Sequence, residues 1–190
     1  MSEKHADMEN MDESAEAVGV GAIVFYYLSN NRMKDINFVL EDALSFDGNT
    51  GPYVQYTYAR TCSVLEKAGD VNCTELSITA NEESELLKTL AKFPEKVKSA
   101  LDAYEPSIVT RYILDVAAAF NRFYHNCQIL SAEDEKIRNT RIMLTKATNI
   151  VLSGRFRDHQ NHYWEVDYTI HLGANNTDDF NIIRNTEYNN

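Results

Sequence analysis

Long apolar runs are missing from this chain. Its most hydrophobic stretch, Val18 to Leu28, is too short to cross a bilayer and contains two glycines. No membrane partner is therefore expected. Positive charge is scarce: 18 Lys and Arg stand against 29 Asp and Glu, a formal net charge of −11. That balance excludes broad, sequence-independent binding to nucleic acid and gives no reason to expect DNA as a partner. Cysteine is sparse too. Cys62, Cys73 and Cys127 are odd in number and lack C-x-x-C spacing, which excludes a disulfide framework and a zinc site and fits reduced thiols in the cytoplasm. The acidic segment Met1 to Glu16 has no basic n-region, so it does not read as a secretory signal. A glycine-rich phosphate loop is missing, because Gly19-Val20-Gly21 sits inside a helical pattern rather than between a strand and a helix. His159, His162 and His171 find no further ligand at helical spacing, and no metal site is expected.

What remains is ordinary globular composition, 44% hydrophobic and 25% charged over 190 residues. The charge is uneven. Between Pro106 and Arg155 there are 7 basic and 4 acidic residues, a locally basic segment that permits a confined RNA contact. The three prolines, Pro52, Pro94 and Pro106, each stand where a helical pattern begins. Residues 1–13 read as a mobile acidic terminus. Ser14 to Leu28 reads as a helix, and the closely spaced Gly19 and Gly21 predict a close backbone neighbour. Ile36, Phe38 and Leu40 alternate with Asn37 and Val39 and form a short strand candidate. Asn81 is placed to cap a helix with Leu86, Leu87 and Leu90 inward, and Glu82, Glu83 and Glu85 read as its solvated start. A following helix opens at Pro94 with Val97, Leu101 and Tyr104 inward. The longest helix spans Ser107 to about Asn126, with Ile108, Tyr112, Val116, Ala119 and Phe123 as its core stripe. Ser131-Ala132-Glu133-Asp134 matches a capping box for a last helix ending at Ser153-Gly154. Trp164 to Leu172 alternates with period two and needs a partner, for which Ile36 to Leu40 is the candidate. Gly173 to Asn190 is Asn-rich and reads as disordered. Short connectors between amphipathic helices predict a mainly α, antiparallel helical bundle.

The helix opened by Gly51-Pro52 carries the chemistry. Thr50 is placed to cap it and Gly69 to end it. Tyr53, Tyr56 and Arg60 share one narrow stripe, while Val54, Tyr58, Thr61, Cys62 and Leu65 share another, the core face. Aromatic plates beside a guanidinium suit unpaired, stacked nucleotides with their phosphates alongside. The competing reading is that these tyrosines are core and Arg60 a solvated cap.

Two stretches, Leu44-Ser45-Phe46-Asp47-Gly48-Asn49-Thr50-Gly51-Pro52-Tyr53-Val54-Gln55-Tyr56 and Ala100-Leu101-Asp102-Ala103-Tyr104-Glu105-Pro106 running on to Ala119-Phe120-Asn121-Arg122-Phe123-Tyr124-His125, resemble arginyl-tRNA synthetase, a class I aminoacyl-tRNA synthetase. The likeness is to the end of the catalytic domain and the helical anticodon-binding domain of the DALR type. It implies that residues 14–50 are a catalytic-domain remnant and 51–154 the tRNA-binding bundle, with 155–190 a divergent tail holding a single strand. By the same resemblance the tRNA contacts fall on Tyr53, Tyr56, Arg60 and Tyr124. Gln55 belongs to the motif, with no role assigned. The HIGH and KMSKS motifs that bind ATP are missing, so no catalytic residue, ATP or Mg is expected in this chain, although both serve the parent enzyme.

The function this implies is binding of the anticodon stem-loop of arginine tRNA isoacceptors, in a chain unable to form aminoacyl-tRNA alone. The missing catalytic part of the synthetase is a second expected partner. The alternatives are a protein-interaction or regulatory module that has lost RNA affinity, or a truncated, inactive product.

Overall fold

The computed structural model describes the backbone of residues 2–153, 155–157 and 163–165, and the side chains of residues 14–153. The helices are α1 (Ser2–Ser29), α2 (Leu40–Leu44), α3 (Gly51–Ala68), α4 (Asn81–Leu90), α5 (Phe93–Ala103), α6 (Ser107–Asn126) and α7 (Glu135–Ser153). Two short strands follow, β1 (Arg155–Arg157) and β2 (Tyr163–Glu165). The mainly α bundle read from the sequence is the fold.

Local chemistry sets the ends of α3. Pro52 occupies its first turn, where a missing N–H costs nothing. The Thr50 hydroxyl accepts from the Tyr53 amide at 3.3 Å, and Gly69, at φ 65°, ends the helix by donating to the Leu65 carbonyl. Helix α3 then packs against α1, α6 and α7. Its buried arc holds Val54, Gln55, Thr57, Tyr58, Thr61 and Val64, wider than the core stripe expected, and Cys62 and Leu65 sit only half-buried at its edge. Helix α6 is the hub of the bundle, touching α1, α3, α4, α5 and α7. Ile113, Val116, Phe120 and Phe123 on it are fully buried. Each such side chain contributes about 1.5–3 kcal/mol relative to exposure.

The close backbone neighbour expected at Gly19 is not there, since a Cβ on it would meet nothing within 4 Å; the close approach is made beside Gly21, by Gly51 where α3 crosses α1. A Cβ on Gly51 would lie 3.0 Å from both Ala22 Cα and Phe25 Cβ, and 3.4 Å from the Gly21 carbonyl oxygen. Only glycine lets the two backbones approach this closely.

Several sequence expectations need correction. Helix α1 begins at Ser2, not Ser14, because no glycine or proline interrupts its Glu-, Ala- and Met-rich first half. Ile36 to Leu40 forms no strand; Ile36 to Val39 lead into α2, whose first residue is Leu40. Phe38 instead stacks on Tyr27 at 5.7 Å. β2 pairs antiparallel with β1, Trp164 opposite Phe156, so the tail holds a pair of strands rather than one. The rest of the alternating run, the tail histidines and Gly173 to Asn190 lie outside the described residues. Leu87, Leu101 and Tyr104 are exposed; Phe93, Val97 and Ala100 face inward on α5. The N-cap of α4 is Ala80, whose amide donates to the Glu83 carboxylate, while Asn81 turns outward to Glu85. Helix α7 is capped by Asp134, which accepts from the Ile137 amide at 3.0 Å, rather than by Ser131.

Glu83 departs furthest from expectation. It is fully buried and ion-paired to Arg141 of α7. Its other carboxylate oxygen accepts from the amides of Thr79 at 2.6 Å and Ala80 at 2.9 Å. Burial pushes its pKa up, but the two amides and the guanidinium outweigh burial and hold it below the ordinary 4.5. Arg141 also donates to the Gln128 carbonyl at 2.8 Å, so one pair ties α4, α7 and the α6–α7 loop together.

Candidate nucleic-acid interface

The sequence places Tyr53, Tyr56 and Arg60 on one side of α3, and Tyr124 one turn beyond Asn121 on α6. The packing of α3 against α6 brings these sets together. The Arg60 guanidinium carbon lies 4.7 Å from the Tyr56 ring centre and 4.6 Å from that of Tyr124. These distances suit cation–π contacts. Tyr56 is 53% exposed and Tyr124 38%, so both rings keep an accessible surface. Tyr53 differs from expectation. It is half-buried and packs against the core, leaving mainly its hydroxyl in the site.

Asn121 of α6, outside the core stripe expected for that helix, joins these groups. The Asn121 amide donates to the Tyr53 hydroxyl at 3.0 Å and to the Thr57 hydroxyl at 2.9 Å. Its oxygen accepts from Arg60 Nη1 at 2.5 Å. Arg60 Nη2 donates in turn to the Tyr56 hydroxyl at 3.0 Å. The helical spacing to Tyr124 is the signal that could have found Asn121. Thr110 of α6, also outside the expected core stripe, is buried and donates to the Leu28 carbonyl at 3.1 Å.

This bonding fixes the polarity of the site. Tyr53 and Tyr56 both use a lone pair inside the network, so their own O–H groups are left to donate outward. Arg60 has five N–H groups and gives one to Asn121 and one to Tyr56. The site thus offers donors and ring faces, which suits phosphate oxygens, base carbonyls and stacked bases. An open groove of about 720 Å³ continues from Tyr56, Arg60 and Tyr124 past Ser63 and Lys67 to Gln128. That volume is in the range of ordinary ligand clefts.

The basic segment is less available than its composition implied. Arg141 pairs with Glu83, Lys136 with Glu75 at 3.1 Å and Arg122 with Glu85 at 3.9 Å. Arg60 and Lys67 are the Arg and Lys side chains that line the groove itself. Cys127 is buried, and burial pushes its thiol pKa up, so it is no thiolate nucleophile despite nearby His125. Among the described residues no cluster of His, Cys, Asp and Glu is arranged to hold a metal ion, and no helix is long and apolar enough to span a membrane.

Residues 54–157 match the family model of the DALR anticodon binding domain. The arginine–tRNA ligase of Clostridium botulinum (strain Alaska E43 / Type E3) is 47% identical over 152 residues, covering 78% of this chain and 27% of that protein. The Clostridium kluyveri ligase is 46% identical over 157 residues, covering 80% and 28%. Among solved structures, Thermus thermophilus arginyl-tRNA synthetase superposes with a TM-score of 0.70 at 36% identity, over 74% of this chain and 25% of that one. Arginyl-tRNA synthetase from Plasmodium falciparum gives 0.68 at 28% identity, over 80% and 27%. The chain thus spans little more than a quarter of the relatives it matches. With the family model covering more than half of its length, and with matching helices in solved synthetases, the chain belongs to the DALR anticodon-binding domain family.

Proposed function

We propose that this chain binds the anticodon stem-loop of arginine tRNA isoacceptors as the anticodon-binding part of an arginyl-tRNA synthetase. The observation that carries this reading is the Tyr56–Arg60–Tyr124 cluster, with ring faces and free donors at the mouth of an open groove. Unpaired loop bases stack on such rings, and the guanidinium meets a phosphate. Residues 51–154 act as the RNA-binding unit, and residues 14–50 correspond to the end of the catalytic domain. The contribution to aminoacylation is orientation: holding the anticodon end fixes where the acceptor end lies. Bond-making belongs to the parent enzyme, whose ATP and Mg this chain does not hold. By itself the chain activates no arginine, and it works in the cytoplasm.

An exposed apolar surface supports a second partner. Val20, Val24 and Tyr27 on α1, with Leu40 and Leu44 on α2 and Phe46 beyond, are exposed apolar groups on packed neighbours. A grouping of this kind marks an interaction site. The occupant is the remaining body of an arginine–tRNA ligase, the part that relatives have and this chain does not span. A mixture with a clostridial ligase lacking its matching quarter should recover arginylation; a mixture as inactive as its parts would contradict this assignment.

The direct test of the RNA reading is fluorescence anisotropy with two labelled hairpins, one carrying an arginine anticodon loop and one a scrambled loop. Tighter binding of the first at low salt is expected. Equal binding of both, or none, would defeat the proposal.

A further inference from the structure

Beyond the aromatic and arginine contacts, we infer that Asn121 is the positioning residue of the RNA site; this rests on the RNA reading above. A surface arginine is ordinarily mobile, and ordering it during binding costs affinity. Here the guanidinium is already fixed. Asn121 accepts from Nη1, the Tyr56 hydroxyl accepts from Nη2, and the rings of Tyr56 and Tyr124 lie against it. Asn121 is itself held, because its amide donates to Tyr53 and Thr57. The Thr57 hydroxyl in turn donates to the Tyr53 carbonyl at 2.9 Å, so it can only accept from Asn121. The chain of donors therefore has one direction: backbone-anchored Thr57 sets Asn121, Asn121 sets Arg60, and Arg60 sets the two outer rings.

Asparagine is suited to this place. Aspartate would pair with the Arg60 charge and cancel it toward a phosphate, and it would draw the Tyr53 proton inward. Leucine fills similar space and removes every bond. Neither change touches RNA directly, which separates positioning from contact.

The experiment uses the full chain with N121L and N121D. Thr110→Val serves as control, since it breaks an α6–α1 bond three turns away, about 16 Å along the helix. The order of Arg60 is read from its side-chain nitrogen NMR signals without RNA. Affinity for the arginine anticodon hairpin is read against salt. In the parent and in Thr110→Val, Arg60 should give a resolved, slowly rotating guanidinium. N121L should lose that signal and bind roughly ten- to hundredfold more weakly, as losing a hydrogen bond to a charged group does. N121D should keep Arg60 ordered yet bind more weakly, with a flatter salt dependence. An ordered Arg60 in N121L, or unchanged affinity in either variant, would overturn the role of Asn121. A parent chain with an ordered Arg60 and no hairpin binding would overturn the RNA reading and this role with it, while leaving the hydrogen-bonded hub in place.

Discussion

Replacing Glu83 by alanine tests whether a glutamate at the start of α4 is a structural ion. Glu83 is fully buried, its partner Arg141 has a side chain only 13% exposed, and the Thr79 and Ala80 amides depend on the same carboxylate. Alanine leaves the guanidinium uncompensated and both amides unpaired. Breaking a buried pair from one side costs about 3–5 kcal/mol. Glutamine restores an acceptor for the amides but points N–H toward Arg141 Nε, so it should recover only part of the loss. The sign of the pH dependence follows from the depressed pKa. The stabilisation is fully present above the unfolded value near 4.5 and is lost as pH falls through the lower folded value. Urea unfolding followed by far-UV circular dichroism at pH 7, repeated down to pH 3, reads both quantities. Glu85→Gln, at an exposed site with a 3.9 Å surface contact, should change stability by less than about 0.5 kcal/mol. A Glu83→Ala cost as small as that of Glu85→Gln would refute the buried-ion account.

Gly51→Ala should destabilise the chain by about 1–3 kcal/mol, since the new methyl would press at 3.0 Å on Ala22 and Phe25; unchanged urea midpoints would contradict this. Gln55 is 3% exposed, and among the described residues neither polar atom of its amide finds a hydrogen-bond partner. Gln55→Met should therefore raise stability by about 1–2 kcal/mol, and a loss in the same unfolding assay would show that the amide has a partner after all.

The positions of α3 to α7, and the starts of α3 and α6, were legible because proline, glycine and apolar periodicity are local signals. Gly51-Pro52 with Thr50 marked the start of α3, and the α6 span from Ser107 to Asn126 followed from its stripe. What was not legible depends on neighbours distant in sequence. Glu83 looks like any solvated glutamate until α7 brings Arg141 to it, 58 residues away. Tyr104 fits an inward helical position, but its left-handed φ of 51° at the end of α5 turns it out to solvent. The site shows the same division. The ring and guanidinium stripe is visible on the α3 wheel, whereas Asn121 is 61 residues from Arg60 and becomes legible only when α3 meets α6.

The central claim is that the Tyr56–Arg60–Tyr124 cluster is a surface for RNA and not part of the core. The paired measurement is unfolding stability beside a salt titration of anticodon-hairpin affinity, on the parent, Tyr56→Ala and Arg60→Gln. Tyr56 is 53% exposed, so its replacement should cost under about 1 kcal/mol of stability, mostly the lost cation–π contact. Hairpin binding should weaken by about 1–3 kcal/mol for the base it stacks. Arg60→Gln should weaken binding and lower the slope of log affinity against log salt by about 0.7, the share of one phosphate on a single strand. Stability losses of several kcal/mol with hairpin affinity and salt slope unmoved would contradict the account and return these residues to the core.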